Sequence, residues 1–232
     1  MMATLLLRLS APMQSWGDQS RFTERDTRRE PTKSGVVGLI CAALGWSRDH
    51  DLSPFMPDKM LMGVRVDREG IVLRDYHITQ DVLKASANSK DTVVSNRYYL
   101  SDADFLVGLE SNNREFLLDI KKALQNPKFP LFFGRKAFPP SRPIVPTADE
   151  LGFDNPTEKS VKDALTEAPY NYCGSNGAPP EKLRLILELS PKDPDYFTLG
   201  LVRIDQPISF ARREFLQRRV LIDYCKPEIG DD

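Results

Sequence analysis

Apolar residues fill nearly every position of ATLLLRL (residues 3–9), a short continuous run that predicts a buried first strand. A polar, charge-rich loop follows over roughly 10–33, and the pattern then turns helical from Ser34 to about Leu44, with Gly45 placed to stop the helix. MLMGVRVDREGIVLRDY (60–76) reads as two strands joined around Asp67–Gly70, a hairpin signal. Residues 78–96 carry no sustained apolar period and contribute little core. ADFLVGLE (103–110) is the next strand. NREFLLDIKKAL (113–124) is an amphipathic helix with Phe116, Leu117, Ile120 and Leu124 toward one face. FPLFFGRKAFPPSRP (129–143) predicts a strand that runs into a Gly-Arg-Lys turn and a proline-rich exit.

The order is β-α-β, an inserted polar segment, then β-α-β. It predicts an α+β chain whose first half, 1–145, follows the ferredoxin-like split βαβ pattern that also underlies many RNA-binding sheets. Beyond it the character changes. A short helix (157–168) precedes a Pro/Gly/Asn-rich stretch, and then LRLILEL, FTLGLVRI and PISFARREFLQRRVLID read as strands. Residues 146–232 are therefore expected to form a smaller, mostly β subdomain packed on the first.

With 232 residues, 41% apolar and 28% charged, the chain is expected to be globular with a real core. Its net charge of −1 predicts no nucleic-acid partner from overall charge, so any such partner must be read from local clusters. Cys41, Cys173 and Cys225 are odd in number and lack C-x-x-C spacing, which argues for a reducing compartment and against a disulfide framework or a structural zinc. The apolar start is interrupted at Arg8, too early for a signal peptide or a membrane span, so the expected location is cytoplasmic, with no membrane contact.

PTKSGVVGLICAALGW (31–46) sets a Thr-Lys-Ser-Gly quartet before an apolar helix. It is no phosphate-binding P-loop, because no glycine stands at the required distance before Lys33. Thr32 or Ser34 is suited to cap the helix, and the open N–H groups at its start, with Lys33, are suited to hold a phosphate. The two roles are compatible. His50 and His77 are the sole histidines, so a two-histidine acid–base nuclease requires the fold to unite them. His50 sits in a polar loop, and His77 suits ligand contact better than catalysis. SDAD (101–104) reads equally as a metal site and as a strand-entry turn.

Basic residues carry more signal. Arg21, Arg25, Arg28, Arg29 and Lys33 are nearly balanced by Asp18, Glu24, Asp26 and Glu30, the pattern of an ion-paired loop. Lys128, Arg135, Lys136 and Arg142 stand in a stretch without an acid, two of them directly after Gly134, where backbone and guanidinium approach a phosphate together. Arg212, Arg213, Arg218 and Arg219 flank Phe210 and Phe215, a mixture that suits a single nucleic-acid strand as well as a plain exposed strand face.

In their order, LRLSAPMQSWG, PTKSGVVGLICAALG, LRDYH, RYYLSDADFLVGL and LFFGRKAFPPSRPI resemble the Cas-five family of the RAMP superfamily, in its type I-E CRISPR branch. The match runs through about residue 145, with FARREF echoing it near the C-terminus. The resemblance implies a ferredoxin-like, RRM-like RAMP palm with an inserted β-hairpin thumb at about 77–99. It implies a non-catalytic subunit that caps the 5′ handle of CRISPR RNA in a Cascade surveillance complex for antiviral defence. The implied partners are that RNA, the backbone subunits, the large PAM-reading subunit and, through the complex, target DNA. Carried over by position, Gln14, Ser15 and Trp16 face the handle from the loop after the first strand. Lys33, Ser34 and Gly35 form the helix start, Arg97, Tyr98 and Tyr99 the thumb base, and Gly134, Arg135 and Lys136 the basic turn. Arg28, Arg74 and His77 complete the RNA-facing set. One branch of the family cleaves repeat RNA with a tyrosine, a lysine and a histidine. This chain follows the non-cleaving branch, so neither catalysis nor a cofactor or metal is expected; the alternative is a metal-independent endoribonuclease that processes CRISPR repeat RNA.

Overall fold

Strand β1 (Ala3–Ser10) is buried along almost its whole length, as its largely apolar run requires. It is one edge of the central sheet in a computed structural model that describes residues 2–19, 23–83, 89–170 and 179–229. Cys173 and Arg21 lie outside the described residues, as does 84–88 of the expected thumb. In chain order β1 is followed by β2 (Met13–Gln14), β3 (Glu24–Arg25) and α1 (Lys33–Leu44). Next come β4 (Met60–Arg68), β5 (Ile71–Leu83), β6 (Lys90–Ser101), β7 (Asp104–Ser111) and α2 (Arg114–Gln125). The chain ends through α3 (Ala148–Leu151), α4 (Val161–Glu167), β8 (Leu183–Glu188), β9 (Leu201–Ser209) and β10 (Glu214–Cys225). This is a mixed α/β chain. Six strands form an antiparallel sheet in the order β1-β7-β4-β8-β10-β9, and β2-β6-β3 with β5 form a second sheet.

Helices α1 and α2 cover one face of the large sheet, where Leu5, Leu7, Val36, Ile40, Val107, Leu117 and Ile120 meet. Helix α4 covers the other face with Leu6, Leu106, Leu165 and Leu185. The Thr32 side chain caps α1 by accepting from the Gly35 N–H, and Gly45 ends the helix at φ 76°, so both predicted ends hold. On α2, Leu117, Ile120 and Leu124 are buried as expected, while Phe116 sits at the rim and stacks on Trp46 at 6.1 Å.

Three expectations need correction. The strands at 60–68 and 71–83 both exist, yet they do not form a hairpin with each other. β4 is claimed by β7 and β8, whereas β5 pairs with β6 in the second sheet. Gly70 makes the change of sheet possible: at φ 69° it passes the Ser101 carbonyl so closely that a Cβ would lie 2.6 Å from it. The expected strand at 129–133 is an irregular segment. Phe133 donates to the Phe138 carbonyl at 2.9 Å, folding the stretch back on itself, and Pro130 has no N–H for a ladder. The free edge of β1 is covered by 144–157 instead, through Arg8 N–H to Ile144 O (2.7 Å), Thr4 N–H to Thr157 O (2.8 Å) and the Asn155 amide on both backbone groups of Leu6. The helix expected at 157–168 is shorter and begins at Val161.

Two buried ionic networks tie distant segments together. In the first, Arg8 bonds Asp67 and Asp104, and Arg65 bonds Asp67 at 2.6 Å while donating to the carbonyls of Leu165, Ala168 and Pro169 at the end of α4. In the second, Lys33 meets Glu188 at 2.8 Å, and Arg218 grips Asp205 at 2.6 and 2.9 Å. This network joins β8, β9 and β10 to the start of α1, so strands from beyond residue 146 belong to the same sheet as β1.

The networks carry a pH signature. Burial opposes the charge on Asp67 and Asp205, but Arg8 and Arg65 in one case, and Arg218 and Lys33 in the other, hold both carboxyls below the ordinary value. A depressed folded pKa means stability that is complete above the unfolded carboxylate pKa of about 3.9 and is lost as pH falls below it. Asp104 works in the opposite sense, because burial raises its pKa. Asp205→Asn is expected to be less stable than the parent at neutral pH and to lose less stability between pH 4 and 2. Urea unfolding at several pH values checks this, and parallel acid profiles in the two proteins would refute it.

Candidate nucleic-acid interface

The chain after β1 is held in place by its own buried amides. Gln14 is fully buried, donates to the carbonyls of Leu9 (3.1 Å) and Ala103 (2.9 Å), and accepts from the Trp16 indole at 2.9 Å. Trp16 packs on Phe133 at 5.7 Å and covers Gly35, where a Cβ would stand 2.9 Å from the indole ring. Ser15 donates its N–H to Phe133 O at 3.1 Å. Gly134, at φ 85°, then turns directly over Ser15, whose carbonyl oxygen would lie 2.0 Å from any Cβ at that position. Three stretches that are far apart in sequence are thereby locked together.

They enclose a cleft of about 380 Å³ lined by Ser15, Trp16, Ser34, Gly35, Gly134 and Arg135, with Phe210 and Phe215 on its far wall. A second hollow of about 620 Å³ continues from it, sharing Gly38, Ala42, Pro130 and Phe132 and flanked by Arg48 and Arg213. The helix α1 forms the floor of both, and its small residues leave room for an occupant.

Lys33 departs from the sequence reading. Its side chain is 1% exposed, its ammonium is paired with Glu188 and donates to Met60 O at 3.0 Å, and burial lowers its pKa. The anion at the start of α1 is the chain's own Asp205, which accepts from the Lys33 N–H at 2.8 Å. Arg28 is likewise committed, to Asp18 at 2.5 Å. In the C-terminal basic cluster, Arg218 is buried in its ion pair and Arg212 bonds Glu214 at 3.0 Å. Arg142 bonds Glu150 at 2.7 Å.

The β5–β6 hairpin divides its residues between two faces, since directly opposed residues share a side. Arg74, Tyr98 and Asn96 lie on one face, where Arg74 donates to Asn96 at 2.9 Å and Asn96 to Glu24 at 2.7 Å. His77, Arg97 and Tyr99 lie on the other. That second face meets the basic turn: the Tyr99 ring packs edge-on to Phe138 at 5.0 Å, and Phe138 donates its N–H to Arg135 O at 2.9 Å. His77 is half exposed beside Asp75 at 3.6 Å, whereas His50 stacks on Trp46 at 3.8 Å in the loop after α1. Asp104 of the SDAD turn is committed to Arg8.

Arg135 is half-buried, its Nε has no hydrogen-bond partner, and burial, assisted by Arg97 and Arg25, lowers its pKa. Lys136 beside it is exposed. The sequence reading placed Arg25 in an ion-paired loop. That holds for Arg28 but not for Arg25, which the two-residue strand β3 sets opposite Arg97. Strict alternation along β3 turns Glu24 and Arg25 to opposite faces, a separation that charge counting along the loop does not reveal.

A cationic turn beside a cleft floored by small residues and walled by aromatics has the makings of a site for a single nucleic-acid strand. The chain belongs to the family described as CRISPR-associated protein (Cas_Cas5), whose profile matches residues 4–221. A particular relative is the CRISPR system Cascade subunit CasD of Escherichia coli (strain K12), 32% identical over 157 residues, which span 62% of this chain and 70% of the relative. Two solved structures extend the likeness. One, titled "Crystal structure of Cas protein", is 39% identical with a TM-score of 0.74 over 98% of both chains. The other, titled "CRISPR RNA-guided surveillance complex", is 29% identical with a TM-score of 0.72 over 97% of this chain and 90% of that one. Among the described residues no helix is long and apolar enough to cross a membrane.

Proposed function

We infer that the chain is a non-catalytic RNA-binding subunit of a Cascade surveillance complex and that it caps the 5′ handle of CRISPR RNA in the cleft between the 14–17 loop and the Gly134 turn. One observation carries this reading: the turn sets the half-buried Arg135, beside the exposed Lys136, on a cleft that Phe210 and Phe215 also line. Phosphates pair with such cations while bases lie on aromatic faces. In this reading 1–145 is a ferredoxin-like RAMP palm, about 77–99 its thumb, and 146–232 a smaller, mostly β portion. The hairpin carries Tyr76 at 62% and Ile78 at 51% exposure, apolar surface suited to a neighbouring backbone subunit. The PAM-reading subunit and target DNA are reached through the complex, which works in the cytoplasm. The two histidines stand on separate elements, which favours binding over acid–base cleavage.

Labelled CRISPR repeat RNA tests the proposal. Binding is expected to weaken steeply as salt rises, because phosphate contacts release counterions, and the RNA is expected to remain intact. Specific cleavage abolished by His77→Ala would establish the nuclease instead, and salt-independent binding would remove the phosphate contacts.

A further inference from the structure

We propose that Arg25, Arg97 and Arg135 act together as one phosphate-binding site at the base of the thumb, gripping a single phosphodiester of the bound RNA. The proposal rests on the RNA-binding reading above and assigns to it a residue, Arg25, that neither the sequence pattern nor the resemblance singled out.

Three independent features bring these side chains to one place. Arg25 and Arg97 are direct partners across β3 and β6 and therefore share a face. Tyr99, two residues further along that face, packs on Phe138, whose N–H is bonded to Arg135. Arg135 reaches the cluster from a turn fixed by Gly134 against Ser15, so its position is set by backbone.

Of the nearby carboxylates, Glu24 accepts from Asn96 on the opposite face, whereas Asp75 stands directly across from Arg97 on the shared face, 3.6 Å from His77. Among the described residues none lies within ion-pairing distance of Arg135. Arg97 has one hydrogen bond, to the Ser95 hydroxyl at 3.2 Å, and the buried Arg135 Nε has no partner. Three cations beside the single carboxylate of Asp75 leave an excess of positive charge. A phosphate neutralises it, since its oxygens accept from several guanidinium forks at once. A structural role is a poor explanation of the same cluster, because a structural arginine is paired, as Arg65, Arg8 and Arg218 are here.

The test uses the full chain and a set of repeat RNAs, each with one linkage made neutral as a methylphosphonate. One linkage is expected to stand out, its neutralisation costing about ten-fold in affinity, the scale of a charged hydrogen bond. Arg25→Gln, Arg97→Gln and Arg135→Gln are each expected to bind about ten-fold more weakly and to lose the penalty at that same linkage. Each also flattens the dependence of log K on log salt by about 0.7, the share of one contact to a single strand. Arg135→Gln is expected to melt no lower than the parent, which a structural arginine would not allow. A penalty spread evenly over all linkages, or one that persists unchanged in the three variants, overturns the triad while leaving RNA binding in place. Parent binding that ignores salt overturns the RNA reading, and the triad with it.

Discussion

Glu188→Ala is expected to lower the stability of the chain by about 3–5 kcal/mol, the usual cost of stripping one partner from a buried ion pair. Glu188 sits at the junction of β8 with β4 and α1. One carboxylate oxygen takes the Lys33 ammonium at 2.8 Å, and the other accepts the Met62 N–H at 2.9 Å with Arg218 at 3.8 Å. The side chains of Lys33 and Glu188 are 1% and 0% exposed, so water does not replace what the carboxylate supplied. Alanine leaves an ammonium and a guanidinium facing each other in the core, together with an orphaned backbone donor. Against a total of about 5–15 kcal/mol for an ordinary domain, the loss is a large fraction. Urea unfolding of parent and variant measures it, with equal slopes showing that only stability has changed. Lys33→Met combined with Glu188→Leu is expected to recover much of the loss, since apolar replacements of a whole buried pair are often tolerated. An unchanged midpoint for Glu188→Ala would mean that the pair is hydrated.

The second large effect is on RNA. Arg135→Glu with Lys136→Glu is expected to cut handle-RNA affinity by about 100-fold or more, from two lost charge-assisted contacts at about 1.5 kcal/mol or more each, with repulsion added. The fold is expected to survive. Lys136 is exposed, and a carboxylate at 135 stands next to Arg97 and Arg25, where it relieves their mutual repulsion. The same attraction deepens the RNA defect, because the new carboxylate occupies the two arginines that remain. Handle binding and thermal melting in one buffer decide the matter. Unaltered affinity with a normal melt takes the turn out of the site, and lost affinity with an intact melt supports it.

Local pattern made much of this protein legible in its sequence. The largely apolar run of β1 predicts a buried strand, since a strand covered on both faces buries the leucines of ATLLLRL while its backbone is satisfied by neighbouring chain. Thr32 and Gly45 bound α1 because capping depends on residue type within one turn. Gly134 before Arg135 announced a tight basic turn, for a glycine at a chain reversal is needed whatever lies beyond it. What required the tertiary structure was partnership. The run LFF promised a strand, but a strand exists only where an edge accepts it, and the edge of β1 went to Ile144 and Thr157. Lys33 stood in an anion-binding context until Glu188 and Asp205, more than 150 positions away, took its ammonium and its N–H. Arg25 read as one charge in a balanced loop until β3 turned it away from Glu24 and set it beside Arg97. Capping and burial are decided within a few residues of chain, whereas which charges neutralise one another is a Coulombic matter of distance in space, and only the folded chain sets those distances.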